Sequence, residues 1–203
     1  MRRPDAKKIE AIERAVLQLT RDEGLAGVSF SKIARLAHVS PATAYVYYQD
    51  KTDMLSQMYL QVKRLMDQGL AEKLSPALGL RERFELVLWH FARSFEAYPL
   101  EANFMRAVQA NPHFVRPEAI AQANAMIGPL IALFEEAVAA DALTETEPRL
   151  VVALTFAPMT QLIEQCHNAR LDLSDDELGR VIRRSLDAIF LPPTTRRNDH
   201  GNH

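Results

Sequence analysis

The apolar residues of this chain recur at intervals of three and four positions, the spacing that one face of an α-helix requires. Two segments carry this pattern most clearly, namely Ile9, Ile12, Val16 and Leu19 in the first and Phe84, Leu88, Phe91 and Phe95 in the second. Glycine accounts for only 7 of the 203 residues, and no segment alternates β-branched with polar residues between turn signals. The sequence therefore predicts an all-α protein.

Glycine, proline and serine mark the ends of the predicted helices. Gly24 ends the first helix, and Ser174 opens the last one with a capping box. The expected helices are 6–23, 31–37, 41–48, 51–74, 81–97, 101–110, 117–140 with a kink at Gly128-Pro129, 148–169 with Pro158 inside it, and 174–190.

Length and composition limit the class of protein. The chain can form one large domain or a small domain joined to a larger one. No apolar run approaches the roughly 20 residues that span a bilayer, and the first residues lack the apolar stretch of a secretory signal. Cys166 is the single cysteine, which excludes an intramolecular disulfide. We expect a cytoplasmic protein.

The charge of the chain is unevenly distributed. Residues 1–51 carry 9 Lys+Arg and 6 Asp+Glu, a balance of +3, whereas the rest carries 15 and 20, a balance of −5, which together give the net charge of −2. A basic head on an acidic body is the asymmetry expected when one end of a protein meets a polyanion.

Two short helices, 31–37 and 41–48, are joined by a turn of three or four residues around His38. Ser40 and Pro41 open the second of them, because serine caps a helix and proline fits its first position. This is the layout of a helix-turn-helix, in which the second helix enters the major groove of DNA.

The outer face of that second helix carries polar-tipped and small side chains: Pro41, Ala42, Thr43, Val46 and Tyr47. Hydroxyl groups and lysines are common ligands of DNA phosphates. Tyr47, and Lys51 at the start of the next helix, are therefore expected to contact DNA, while Tyr48 is expected to pack against the head. The competing interpretation is that the tyrosines are half-buried packing residues and Lys51 a solvated helix start.

A longer pattern surrounds these helices. Its members are Gly24, Ser29, Ile33, Ala34, Val39, Ser40, Ala42, Thr43, Tyr45, Tyr47, Tyr48, Lys51 and Leu55. With this pattern, residues 10–55 resemble the DNA-binding head of TetR-family transcriptional regulators, with serine at 29 where the family usually has threonine. The resemblance implies phosphate contacts from Ser29, Thr43, Tyr47 and Lys51. The full set of expected DNA-binding residues is Ser29, Ser40, Pro41, Ala42, Thr43, Tyr45, Val46, Tyr47 and Lys51.

The head departs from the family pattern in two ways. His38 stands where the family usually has glycine, at a position expected to need a positive φ. The recognition helix also lacks Arg, Asn and Gln, so few of its side chains can recognise base edges through hydrogen bonds. We expect specificity to come from thymine methyl contacts of Ala42 or Val46, from Arg2 and Arg3 in an N-terminal arm, and from DNA shape.

The last two long helices carry more apolar surface than a hairpin inside one subunit needs to bury. We expect a homodimer interface there, a geometry that the resemblance also implies; the alternative is that these residues are monomer core. The expected interface residues are Val151, Val152, Thr155, Leu162, Val181, Ile182, Leu186 and Ile189.

The helical body is rich in phenylalanine and methionine, which suit either an adaptable apolar ligand pocket or an ordinary core. The resemblance favours a pocket. The candidate lining residues are Trp89, His90, Phe104, Met105, Met126, Phe134, Phe156 and Met159.

The predicted organisation is a helix-turn-helix domain at 1–50, a helical effector-binding and dimerisation domain at 51–193 and a disordered tail at 194–203. The predicted function is a ligand-responsive regulator, a repressor that binds a palindromic double-stranded DNA operator as a dimer and is released by a small apolar or amphipathic effector. The alternative is a partner-binding helical module with little specific DNA affinity. The chain lacks the common catalytic motifs, so no enzyme, metal site or cofactor is expected.

Overall fold

The computed structural model describes residues 6–192, and these residues form α-helices without a named strand. The helices are α1 (Ala6–Gly27), α2 (Phe30–Leu36), α3 (Pro41–Tyr47), α4 (Lys51–Asp67), α5 (Leu80–Ala97), α6 (Pro99–Ala110), α7 (Pro117–Ala125), α8 (Gly128–Ala139), α9 (Pro148–Ala169) and α10 (Asp175–Ile189). Two short 3₁₀ helices, Ala71–Lys73 and Pro112–Phe114, lie between α4 and α5 and between α6 and α7. The all-α prediction is confirmed. The expectations for Arg2, Arg3 and the tail lie outside the described residues.

Most of the predicted helix ends are confirmed. Gly24, with φ of 71°, interrupts α1 where the first helix was expected to end. Ser174 caps α10 with both bonds of the predicted capping box, since its side chain accepts from the Glu177 amide and the Glu177 side chain accepts from the Ser174 amide. His38 has the expected positive φ, at 53°.

Three predicted helices have different limits. The predicted helix 51–74 ends at Asp67, because Gln68 leaves helical geometry and Gly69 takes a φ of 76°. The predicted kinked helix 117–140 is two helices, α7 and α8, separated at Met126 and Ile127. The predicted helix 101–110 begins two residues earlier, at Pro99, where proline fits the first turn.

The helices pack into two compact units. Of the described residues, the first unit comprises 6–73 and 90–131, and the second comprises 74–89 and 132–192. These units describe packing and differ from the functional division at residue 50, which stays a prediction.

In the first unit, α1 packs against α2 and α6, α2 packs against α3, and α4 packs against α6 and α7. The fully buried side chains at its centre include Ile12, Ile33, Met54, Leu55, Met66 and Phe104. The head helices therefore share one core with α4 and α6.

In the second unit, α9 packs along α10. One face of α10 is fully buried, through Leu178, Ile182, Leu186 and Ile189. Arg83 of α5 forms a bidentate ion pair with Glu136 of α8, with nitrogen–oxygen distances of 2.8 and 2.5 Å.

The left-handed turn at His38 gives a direct test of the fold. An L-residue in this conformation costs about 1–2 kcal/mol, whereas glycine adopts it without a Cβ clash. We expect His38→Gly to raise the free energy of unfolding by about 0.5–1 kcal/mol, and His38→Val to lower it by about 1–2 kcal/mol, because a β-branched residue tolerates a positive φ poorly. Urea unfolding followed by circular dichroism measures both. Equal stability of the three proteins would contradict the assigned turn.

Candidate nucleic-acid interface

Helix α3 is fixed at its start by residues 40–43. Ser40 precedes the helix in extended geometry, and Pro41 occupies its first turn. The Ser40 Oγ and Thr43 Oγ1 atoms lie 2.8 Å apart and share a hydrogen bond, while the Thr43 amide donates to the Ser40 carbonyl at 2.9 Å. The two hydroxyls thus hold the first turn together.

The two faces of α3 have opposite environments. Ala44 is fully buried against the head, while Tyr45 is 60% exposed and Val46 75% exposed. Pro41 and Ala42 are also exposed, and Thr43 and Tyr47 are half-buried. The outward face of α3 therefore consists of residues that are predicted from the sequence to contact DNA.

The three tyrosines have different roles in packing. The Tyr45 ring lies on the Phe30 ring of α2, with ring centres 4.3 Å apart. Tyr48 is only 5% exposed, as expected for a packing residue. Burial raises the pKa of Tyr48, and the nearby carboxylates Glu13 and Asp53 raise it further, so its hydroxyl stays protonated. Tyr48 thus belongs to the head core, and Tyr45 and Tyr47 remain at its surface.

Ser29 begins α2 as its cap. Its side chain accepts a hydrogen bond from the Lys32 amide at 3.4 Å and lies 3.3 Å from the Ser31 hydroxyl. The Lys32 ammonium pairs with the Glu23 carboxylate. The side chain of Ser29 thus caps α2, in addition to any contact that it makes with a phosphate.

Lys51 stands at the start of α4, where several elements meet. Its ammonium donates to the Ala26 carbonyl at 3.1 Å and lies 5.3 Å from the centre of the Phe114 ring. Burial lowers the pKa of Lys51, and the charge of Lys32 lowers it further. The cation is thus in an environment that disfavours its charge, and an added anion such as a phosphate would offset that effect.

The N-terminal turn of α4 is held by a cluster of polar contacts that the sequence did not reveal. Asp50 caps the helix, accepting from the Asp53 amide at 2.7 Å, and Asp53 accepts from the Gln49 amide at 3.0 Å. The Arg116 guanidinium lies 3.7 Å from Asp50 and 3.6 Å from Asp53. The Arg116 amide donates to the Ser56 hydroxyl at 2.8 Å. These contacts join the start of α4 to the segment before α7.

The residues expected at a dimer interface fall into two groups. Val151, Thr155, Ile182, Leu186 and Ile189 are buried inside the second unit. Leu162 and Val181 are half-buried, and Val152 is 54% exposed. A buried residue has no surface for a partner, so the exposed flank of α9 is what a second subunit could reach.

The residues expected to line a ligand pocket are divided between the units. His90, Phe104, Met105 and Met126 belong to the first unit, and Trp89, Phe134, Phe156 and Met159 belong to the second. Phe104 and Met159 are fully buried in side-chain packing. A ligand pocket lined by these residues stays a prediction.

His90 has no ring nitrogen left for a ligand. Its Nε2 lies 2.8 Å from the Met66 carbonyl, and its Nδ1 lies 3.3 Å from the Lys73 ammonium. A carbonyl only accepts and an ammonium only donates, so in these two contacts Nε2 is the donor and Nδ1 the acceptor.

The first unit contains a cavity of about 310 Å³, and its lining differs from the predicted pocket residues. Its walls come from α1, α4 and residues 97–101, and include Glu13, Arg14, Met58, Gln61, Tyr98 and Glu101. Burial raises the pKa of Glu13, although Gln61 donates a hydrogen bond to it at 3.2 Å. None of the predicted pocket residues lines this cavity.

Among residues 6–192, no group of three or more His, Cys, Asp or Glu side chains could hold a metal ion. Within the same part of the chain, no helix is long and apolar enough to cross a membrane.

Two family models match the sequence. The model for bacterial regulatory proteins of the tetR family matches residues 12–58, and the model for a tetracyclin repressor-like C-terminal domain matches residues 79–190. No curated protein matches the sequence at a significant level.

Solved structures show the same fold at low sequence identity. A TetR family transcription regulator from Marinobacter aquaeolei VT8 is 22% identical, with a TM-score of 0.81 over 94% of this chain and 99% of that one. A TetR-family transcriptional regulator from Haemophilus influenzae Rd is 21% identical, with a TM-score of 0.68 over 94% of this chain and 100% of that one.

These matches agree with the residues of the head. The chain belongs to the TetR family of bacterial transcription regulators. Members of this family are DNA-binding proteins and generally not enzymes, and they commonly act as dimers with small-molecule effectors.

Ser56 gives a test of the contacts at the start of α4. Its buried hydroxyl donates to the Thr52 carbonyl at 2.6 Å and accepts from the Arg116 amide. We expect Ser56→Ala to lower the free energy of unfolding by about 1–2 kcal/mol, because the Arg116 amide loses its partner. Urea unfolding measures the change. Thr160→Ala, which removes a more exposed hydroxyl of α9, is the control and should change stability by less than about 0.5 kcal/mol. Equal effects of the two substitutions would contradict the assigned role.

Proposed function

We propose that this protein is a repressor that binds a palindromic operator as a homodimer and is released by a small effector. The observation that carries the proposal is the outward face of α3, which stands exposed beyond a packed helix-turn-helix. A regulator of this kind acts in the cytoplasm, on chromosomal DNA.

The groups around α3 suit a DNA backbone. Lys32 and Lys51 are close enough for one charge to lower the pKa of the other, and a phosphate near both would relieve that repulsion. The hydroxyls of Ser29, Thr43 and Tyr47 lie in the same helix-turn-helix and are the phosphate ligands that the family resemblance implies. These residues would set the register of α3 on the duplex, while its exposed tip meets the bases.

A homodimer is favoured by the exposed surface of α9. On one side of its buried residues Val151 and Thr155, this helix exposes Leu150 (49%) and Leu154 (41%), and on the other side it exposes Val152 (54%). Exposed aliphatic side chains grouped on one helix mark a contact surface. Pairing of two chains through α9 and α10 would present two heads to two half-sites, which raises both affinity and specificity.

The effector is proposed to be small and apolar or amphipathic. The predicted pocket residues are mostly Phe and Met and favour an apolar molecule. The cavity beside α1 and α4 combines apolar walls with the carboxylates of Glu13 and Glu101, and it therefore favours an amphipathic molecule. An effector bound in either place would act by favouring one of two arrangements of the helices that hold the head.

A partner-binding module is the second candidate. It is favoured by one observation, the apolar character of the α3 tip at Tyr45 and Val46, which a protein partner could also cover. Salt-dependent binding to duplex DNA separates the two candidates, because counterion release is specific to a polyanion.

The DNA-binding role is tested by operator selection from genomic fragments with purified protein, followed by affinity measurements in a salt series. We expect a palindromic site near the protein's own gene. Tyr47→Phe should weaken binding about fivefold through loss of one hydrogen bond. Lys51→Ala should weaken binding to all duplexes alike and reduce the salt slope by about one.

Arg93→Ala is the charge-matched control, because Arg93 lies on α5, outside the helix-turn-helix, and pairs with Glu96 of the same helix. It should leave affinity and salt slope unchanged. Equal, weak retention of random duplex by wild type and all three variants would refute the DNA-binding role and favour the partner-binding module.

The dimer is tested by sedimentation equilibrium. We expect wild type to be a dimer at micromolar concentration and Leu154→Glu to be a monomer, because a carboxylate would be buried against the partner. Ile131→Glu changes an isoleucine of similar exposure, 45%, on α8 and should remain dimeric. A monomeric wild type, or dissociation by both substitutions, would contradict an interface centred on α9.

A further inference from the structure

The outward face of α3 has a simple chemical composition. Ala42 and Val46 are four positions apart and lie on the side of the helix opposite the buried Ala44. Pro41 and Tyr45 flank them, and all four are exposed. The exposed side of α3 is therefore built from methyl and methylene groups and one phenol ring.

The hydroxyl-bearing side chains of the same helix are Thr43, Tyr45 and Tyr47, which lie beside the pair Ala42 and Val46. The Thr43 hydroxyl is paired with Ser40 at 2.8 Å, and Thr43 is half-buried. The Tyr45 ring is held against Phe30, so its position is set by packing within the head. The protruding pair Ala42 and Val46 has no side-chain group that can donate to or accept from a base edge.

The major groove offers this surface one apolar feature. Base edges there consist of hydrogen-bond donors and acceptors, except for the methyl group at C5 of thymine. 5-Methylcytosine carries a methyl at the same position on the ring. An exposed valine gains from burial only where such a methyl meets it, because the polar edges of the other bases lose water without a new partner.

We propose that this protein selects its half-site through pyrimidine C5-methyl groups, read by Val46 and Ala42. The ligand class is duplex DNA with a C5-methylated pyrimidine, thymine or 5-methylcytosine, at one or two positions of each half-site. The inference rests on the proposed DNA-binding function and specifies how that site distinguishes sequences.

The experiment begins with a half-site obtained by selection from a random duplex library. Each thymine is then replaced singly by deoxyuridine, which removes the methyl and keeps the base pair. At one or two positions per half-site we expect affinity to fall about fourfold, the effect of losing one buried methyl group. Other thymines should tolerate uracil within about 1.5-fold.

A second set of duplexes tests whether the methyl alone is read. At the sensitive positions the T·A pair is replaced by C·G and by 5-methylcytosine·G. We expect the C·G duplex to bind at least fourfold more weakly and the 5-methylcytosine duplex to bind within about twofold of the original. Equal, weak binding of both would overturn methyl readout, because it would mean that the donors and acceptors of the T·A pair are read.

A protein variant links the effect to its residue. Val46→Ala should weaken binding about fourfold on the thymine site and abolish the uracil effect at one sensitive position, leaving any second position sensitive. Val46 is 75% exposed, so the substitution leaves the fold intact. Leu171→Ala, which truncates a leucine 64% exposed between α9 and α10, is the control and should keep every uracil effect.

The possible outcomes distinguish a failure of methyl readout from a failure of the proposed DNA-binding function. Sequence-specific, salt-dependent binding with no loss at any uracil position would overturn methyl readout while the DNA-binding function stands. Uracil effects that persist unchanged in Val46→Ala would overturn the role of Val46. Failure to select any half-site, with no salt-dependent retention of duplex, would refute the proposed function and this inference with it.

Discussion

The position of the recognition helix depends on how the first turn of α4 is fixed. Asp50 accepts from the Asp53 amide, one of the amides that a helix start leaves unpaired, and Asp53 accepts from the Gln49 amide. The Arg116 guanidinium lies within 4 Å of both carboxylates and offsets part of their charge, and the Arg116 amide donates to Ser56. These polar contacts join the Arg116 segment to the residues that directly follow α3.

The recognition surface itself shows a division of tasks among side chains. Groups that can hydrogen-bond stabilise the local fold, as Ser29 does for α2 and Ser40 and Thr43 do for α3. Lys51 combines a structural contact to the Ala26 carbonyl with a charge that its surroundings disfavour. Ala42 and Val46 at the exposed tip carry only apolar side chains, so in the proposed DNA complex the residues that position the head differ chemically from those that distinguish sequences.

Local signals predicted much of this fold because they act within a few residues. Gly24, Ser174 and the turn at His38 adopt the predicted geometry, since a positive φ or a capping box needs little help from distant chain. A kink was predicted at Gly128-Pro129, but the structure has a full break just before it, at Met126 and Ile127. The early end of α4 was not predicted, because apolar spacing continues past it. The contacts of Arg116 were also missed, since they join residues about 60 positions apart in sequence. The buried faces of α9 and α10 show the same limit: apolar periodicity identifies a buried side but not whether a neighbouring helix or a second subunit covers it.

The two ends of α4 are both attached by side chains from elsewhere in the first unit. At its C-terminal end the Met66 carbonyl, which lies in the last helical turn, accepts a hydrogen bond from His90 of α5. At its N-terminal end the Arg116 segment holds the capping residues. A helix of this length spans about 25 Å, and fraying normally begins at its unpaired terminal groups. With both ends of α4 attached, unwinding of either end requires the loss of a side-chain contact from elsewhere in the first unit.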